Sequence, residues 1–265
     1  MTRRRIAAVL LAAGLLVSLQ PGPAQSATAK PTVVLVHGAW ADASSWSEVI
    51  PRLHADGYTV AAVANPLRSL SGDAAYVRAY LESLTGPIVL VAHSYGGAVI
   101  TNAATGNPNV KALVYVNAFA PDQGESATQL AGPDSALSVD PTTVFDFVPA
   151  TLPPTPETDL YLKKSTVFAS FATGLNAKDK ALVAATQRPA TLGALNEPSG
   201  VAAWRSIPSW YLLGTKDKII PASAQRAMAQ RAGSAVTEYP AGHLGLLSDA
   251  RTVAQGIERA ARGKR

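Results

Sequence analysis

The stretch Ile88-Val89-Leu90-Val91-Ala92-His93-Ser94-Tyr95-Gly96-Gly97-Ala98-Val99-Ile100 constrains the possible folds of this chain more than any other segment. Its first five residues are apolar, mostly β-branched, and show no polar alternation. That pattern reads as a strand buried on both faces, the kind found in parallel sheets covered by helices. A small-polar-glycine break follows, and residues 97 to 104 resume with helical character. A serine at the apex of so abrupt a strand-to-helix turn matches the G-x-S-x-G pattern. The turn is tight, so only small side chains fit two places on either side, and the hydroxyl of Ser94 is pushed outward. The helix behind it directs free backbone N–H groups and a positive dipole end towards any negative charge that develops there. Ala92 stands where the pattern has its first glycine, a departure of one methyl group.

The rest of the chain repeats the same alternation. A second buried-strand run is expected at 32–37, and further strands at 58–64, 110–117, 209–213 and 235–239. Helices are expected at 42–55, 73–84, 221–232 and 248–261, with Ser248 as N-cap of the last. Strands alternating with helices imply right-handed crossovers. The expected fold class is therefore α/β, a mainly parallel sheet covered by helices on both faces. In such sheets the ligand lies beyond the carboxyl ends of the strands, where His37-Gly38, Ser94 and Asn117 fall. Between about 122 and 207 the rhythm breaks into short, proline-punctuated apolar pieces, with one helix expected over 177–187. That is too long for a plain loop and reads as a cap inserted over the sheet edge.

Residues 1–29 stand apart. Arg3-Arg4-Arg5 precedes an apolar run from Ile6 to Leu19, and small residues at alternating positions permit cleavage after Ser26 or Ala29. This describes an export signal; the run is shorter than the ~20 residues a membrane span needs. Without the three arginines the net charge of +5 falls to +2. The expected organisation is a signal peptide over 1–29 and one domain over 30–265. The protein is expected to be secreted, with no membrane anchor after cleavage. With 48% hydrophobic and 15% charged residues the chain can build one large core. The absence of cysteine excludes disulfides, iron–sulfur ligation and cysteine-linked lipids. The basic tail (Arg259, Arg262, Lys264, Arg265) reads as a solvated helix end, and no nucleic-acid partner is expected. Metal-ligand, phosphate-loop and dinucleotide patterns are missing, so no cofactor or metal is assigned.

A serine hydroxyl needs a base to act as a nucleophile, and the chain has four histidines. His54 lies near a helix end and reads as a surface residue. His37 and His93 read as residues that shape loops, since a side chain adjacent to Ser94 points away from it. His243 remains, after the last strand and beside Gly242. A carboxylate must orient that base. Asp217 follows a strand and precedes His243; Asp122 is the runner-up, and Asp249 reads as a first-turn acid of the closing helix. Donors to an oxyanion are expected from the backbone N–H of Tyr95, after the serine, and of Ala39, after the first strand.

With these residues placed, the chain resembles the α/β-hydrolases. Within them it is similar to the plant methylesterase and hydroxynitrile lyase group and its bacterial esterase relatives. The resemblance rests on Val34-Leu35-Val36-His37-Gly38-Ala39-Trp40, Val91-Ala92-His93-Ser94-Tyr95-Gly96-Gly97, Ala118-Phe119-Ala120-Pro121-Asp122, Lys216-Asp217-Lys218-Ile219-Ile220-Pro221 and Gly242-His243. It implies a nucleophile, acid and base at Ser94, Asp217 and His243, and oxyanion donors at Ala39 and Tyr95. The lyases of that group carry a lysine after the histidine; here Leu244 stands there, which argues for ester hydrolysis. Serine at the elbow also argues against relatives that use aspartate, the haloalkane dehalogenases and epoxide hydrolases. The expected activity is a serine carboxylesterase acting on small esters through an acyl-enzyme. The alternatives are an acyltransferase or perhydrolase using the same triad, or a ligand-binding protein on a hydrolase scaffold. Phe145, Phe147, Phe168 and Phe171 of the cap are candidates for an apolar pocket.

Overall fold

Strands made of β-branched and apolar residues on both faces cannot leave either face in water. The chain accordingly stacks such strands side by side in the middle of a six-stranded sheet, with partly exposed strands at its edges, and covers both faces with helices. A computed structural model describes residues 30–264; the expected signal peptide lies outside the described residues. The strands are β1 (Thr32–Val36), β2 (Val60–Val63), β3 (Ile88–Ser94), β4 (Val110–Ala118), β5 (Phe145–Val148), β6 (Asp159–Leu162), β7 (Ala190–Thr191), β8 (Ser209–Gly214) and β9 (Ala235–Tyr239). The main sheet has the order β2-β1-β3-β4-β8-β9, and every pairing in it is parallel. Between β1 and β3, Val33 lies opposite Val89 and Leu35 opposite Val91. All seven residues of β3 are buried. The expected α/β class and all six strands of this sheet are present.

The helices that cover the sheet include α1 (Ile50–Ala55), α2 (Leu70–Glu82), α3 (Gly96–Ala103), α5 (Ala222–Arg231) and α6 (Ala250–Ala261), while α4 (Ala177–Ala185) belongs to the segment between β4 and β8. Three boundaries differ from expectation, each for a local reason. The segment expected as one helix over 42–55 is a 3-10 turn, Ala43–Trp46, and then α1. Asp42 closes the first turn by accepting from the Ser44 amide at 2.8 Å, and Pro51 cannot donate within a helix and so sits in the first turn of a new one. Helix α2 begins at Leu70 rather than at Asp73, because the Ser69 hydroxyl caps it by accepting from the Gly72 amide. Helix α6 is capped by Asp249, which accepts from the Thr252 amide, and not by Ser248, which ends a short preceding turn.

Between β4 and β8 the chain forms a separate antiparallel sheet in the order β5-β6-β7. Strands β6 and β7 were not expected from the sequence; they span four and two residues. This unit docks on the loops that leave β1 and β2. The indole N–H of Trp40 donates to the Leu160 carbonyl at 2.8 Å, and Arg68 donates to Asp159 and to the Pro189 carbonyl, each at 2.6 Å. The Thr191 hydroxyl donates to the Arg68 carbonyl at 2.7 Å.

Candidate active site

The strand order reverses between β1 and β3. From β1 the chain runs to β2 on one side, and from β3 it runs to β4 on the other. A crevice opens at the carboxyl ends where the two directions part, and both candidate loops enter it. Ser94 ends β3 with φ of 52°, a left-handed conformation that projects its side chain out of the ladder. The turn closes only because its neighbours lack side chains. A Cβ on Gly38 would lie 2.6 Å from the Ser94 Cβ, and one on Gly96 would lie 2.6 Å from the His37 carbonyl oxygen. Ala92 sits in the ladder between Val36 and Tyr115, wholly buried, so its extra methyl is accommodated.

Three residues from three distant segments meet in this crevice. His243 Nε2 lies 2.9 Å from Ser94 Oγ, and His243 Nδ1 lies 2.9 Å from Asp217 Oδ2. The carboxylate accepts the Nδ1–H, which leaves Nε2 unprotonated and able to take the proton of the serine hydroxyl. The Asp217 and His243 side chains are fully buried. Five donors surround the carboxylate. Oδ1 accepts from the amides of Ile219 (2.8 Å) and Ile220 (3.0 Å). Oδ2 accepts from His243, from Asn117 Nδ2 (3.0 Å) and from Gln225 Nε2 (3.1 Å). A buried carboxylate with this many donors is held in one orientation.

The other candidates fall elsewhere. Asp122 pairs with Arg205, Asp249 caps α6, and His54 is exposed. His37 accepts the Asn65 amide at Nε2 and donates from Nδ1 to the Gly38 carbonyl, each at 2.9 Å, which shapes the loop after β1. His93 donates from Nε2 to the His243 carbonyl at 2.9 Å, and its buried Nδ1 has no partner among the described residues. Burial lowers the pKa of both rings, and the facing His243 adds to the effect at His93.

Among the described residues, the amides of Ala39 and Tyr95 find no backbone acceptor, and both residues line the cavity that Ser94 faces. The Tyr95 side chain turns away from that cavity and donates to buried Asp73 at 2.8 Å, tying the elbow to α2. Burial raises the pKa of both groups, so the phenol stays a donor. The cavity encloses about 280 Å³ between the strand ends and the β5–β6 hairpin. Phe145 and Phe147 line it, with Trp40, Phe119 and Leu160. Of the other two candidates, Phe171 packs instead against His243, with ring centroids 5.1 Å apart, and against Trp40; Phe168 does not line the cavity. None of the lining residues is charged, and the hydroxyls of Thr128 and Ser138 are spent on the carbonyls of Leu195 and Gly132. No group of three or more His, Cys, Asp or Glu side chains is placed to hold a metal among the described residues.

The roles of three residues at the site went unread in the sequence. Asn117, placed there only at a strand end, and Gln225 reach Asp217 from β4 and α5, and no local motif marks either contact. Trp40 adopts φ of 59°, rare for a bulky residue, because its indole is held by β6 and stacked on Phe145 at 5.8 Å.

Comparison with known proteins agrees with this architecture. The chain is 27% identical over 253 residues to the alpha/beta hydrolase nvfD of Aspergillus novofumigatus, covering 88% of this chain and 97% of that one. It is 32% identical over 110 residues to a carbendazim hydrolyzing esterase of a Nocardioides species, a match that spans 37% of this chain and 46% of that protein. The fold superposes on the methylesterase MES16 of Arabidopsis with a TM-score of 0.73 at 18% identity, covering 88% of this chain and 99% of the other. The sequence profile of the alpha/beta hydrolase family matches residues 33–255, and the chain belongs to that family.

Proposed function

We propose that this protein is an exported serine carboxylesterase acting on small, uncharged esters. The observation that carries the reading is the continuous hydrogen-bond chain from Ser94 Oγ through His243 to Asp217 at the mouth of an apolar cavity. Ser94 attacks the ester carbonyl while His243 Nε2 takes its proton. The negative oxygen of the tetrahedral intermediate accepts from the Ala39 and Tyr95 amides. The imidazolium, steadied by Asp217, delivers its proton to the departing alcohol. Water then repeats the sequence on the acyl-enzyme and frees the acid.

The cavity supports the substrate class. Its walls are mainly aromatic and aliphatic and carry no charged side chain, so a carboxylate or ammonium group would be desolvated there without a counter-ion. A departing cyanide would likewise find no cation, which weighs against the lyase chemistry found in similar proteins. The esterase names borne by the Nocardioides and Arabidopsis proteins are in keeping with this reading. Export follows from the basic-apolar-small pattern of residues 1–29.

The test is burst kinetics on p-nitrophenyl acetate and butyrate, with Ser94→Ala alongside. A rapid release of one nitrophenol per protein is expected, followed by slower turnover. Ser94→Ala should abolish the burst and leave at most the ~10³–10⁴-fold residual effect of oxyanion binding over water. A variant that keeps more than a few per cent of the turnover overturns the mechanism. Transfer of the acyl group to added alcohol or peroxide in preference to water would mark an acyltransferase or perhydrolase. Tight ligand binding without turnover would mark a binding protein.

A further inference from the structure

Asn117 stands at the carboxyl end of β4 with φ of 45° and a wholly buried side chain. An asparagine in the left-handed region, sealed from water, needs a reason. Its Nδ2 group donates to Asp217 Oδ2 at 3.0 Å and to the Gly242 carbonyl at 3.2 Å. Both partners are pure acceptors, so the amide can face them only with its NH₂ group. Its Oδ1 then faces the Tyr239 hydroxyl, which donates to it. Burial raises the pKa of that phenol, which keeps the donor in place. The space is reserved for this amide: a Cβ on Gly214 would lie 2.0 Å from Asn117 Nδ2.

We propose that Asn117 is a positioning residue for the reaction. Its amide locks the Asp217 carboxylate and the loop that carries His243 into one fixed relation. The assignment rests on the esterase reading above. Oδ2 is the oxygen that accepts the His243 Nδ1–H, so the amide shares the atom that orients the base. Its second N–H holds the carbonyl of Gly242, the residue before His243. One side chain therefore sets both the direction of the acid and the position of the base. By sharing Oδ2 it also draws electron density from that oxygen, which tempers how strongly Asp217 stabilises the imidazolium. The titratable groups around this point are Asp217, Tyr239 and His243, with Tyr211 and His93 behind them. The Tyr211 hydroxyl is committed to the Ala118 carbonyl, and the His93 ring lies 4.7 Å from that of His243.

Two variants test the assignment. Asn117→Gly keeps the left-handed backbone and removes the amide. Turnover per active serine, counted by fluorophosphonate titration, should fall roughly ten- to a hundredfold, the range found when partners that orient a metal-bound histidine are removed. KM should stay within about twofold, because Asn117 does not line the cavity. The acid limb of the pH profile of kcat/KM should move upward by roughly half to one unit. Asn117→Asp preserves shape and the Tyr239 contact, and places a second carboxyl group against Asp217. Its turnover should fall further as the pH rises above neutral and the pair is forced to ionise together, where the unaltered protein stays level. It provides the test if the glycine variant fails to fold. A merely structural residue would lower the melting temperature and the titratable fraction, while turnover per active serine and the pH profile stayed as they were. That result, in whichever variant folds, overturns the proposal. If the unaltered protein shows no serine-dependent burst, the esterase reading fails separately. Titration of His243 by ¹⁵N NMR then reads the same coupling without substrate: an upward shift in Asn117→Gly supports it, and an unmoved titration refutes it.

Discussion

The ring of His93 donates its Nε2–H to the backbone carbonyl of His243 at 2.9 Å, so the residue before the elbow serine holds the loop whose histidine faces that serine. Both residues are wholly buried, and no water can replace the bond. His93→Leu keeps apolar bulk but leaves the carbonyl without its donor. The expected loss of stability is about 1–3 kcal/mol, read as a lower urea midpoint at unchanged slope. Labelling of Ser94 by a fluorophosphonate should also slow, because the His243 loop is no longer tethered. An unchanged midpoint would mean that this bond contributes nothing to folding.

The buried histidines should make stability depend on pH in one direction. His93 and His37 have folded-state pKa values below the ordinary 6.5, chiefly because burial penalises the charged ring. A unit or more above pH 6.5 both states are nearly proton-free at these sites, and stability is unaffected. As the pH falls below 6.5 the unfolded chain takes up protons that the folded protein refuses, and stability is lost at up to about 1.4 kcal/mol per pH unit for each ring. Asp73, whose pKa burial raises above 3.8, contributes with the opposite sign and in the acid region. The melting temperature should therefore decline steadily from pH 7 to pH 5. The decline should be shallower in His93→Leu than in the unaltered chain. Equal slopes in the two proteins would remove His93 as a cause.

The two ends of the elbow should respond unequally to a methyl group. A Cβ on Gly96 would lie 2.6 Å from the His37 carbonyl oxygen and 2.8 Å from that of Val36. Both are backbone atoms of the adjacent segment and cannot give way cheaply. Gly96→Ala should cost about 1–3 kcal/mol or more and displace the Ser94 hydroxyl, lowering turnover. Ala92→Gly, at the other end of the turn, should cost only about 0.5–1 kcal/mol, the entropy of a strand glycine, and leave the active-serine count intact. Thermal melts and fluorophosphonate titration of the two variants separate these cases.

The main sheet was readable because its inner strands are runs such as Thr32-Val33-Val34-Leu35-Val36 or Val89-Leu90-Val91, whose burial on both faces is encoded in adjacent residues. The small residues around Ser94 and the order Ser94, Asp217, His243 were likewise local patterns in a known sequence order. The cap resisted for the opposite reason. Strands β6 and β7 span four and two residues and exist only through pairing with β5 and with each other. Asp42 and Ser69 shifted helix starts through single side-chain bonds that compete with the periodic pattern.

What the sequence by itself determined, then, is what neighbouring residues determine: buried strands, a turn that admits only small side chains, and a candidate nucleophile at its apex. Tertiary structure decided how the site is held. Asn117, Asp217, Tyr239 and His243 come from the ends of β4, β8 and β9, and the His93 bond spans 150 residues. Such contacts arise because parallel strands deliver distant segments to one edge of the sheet, where each buried polar atom must find its partner across space and not along the chain.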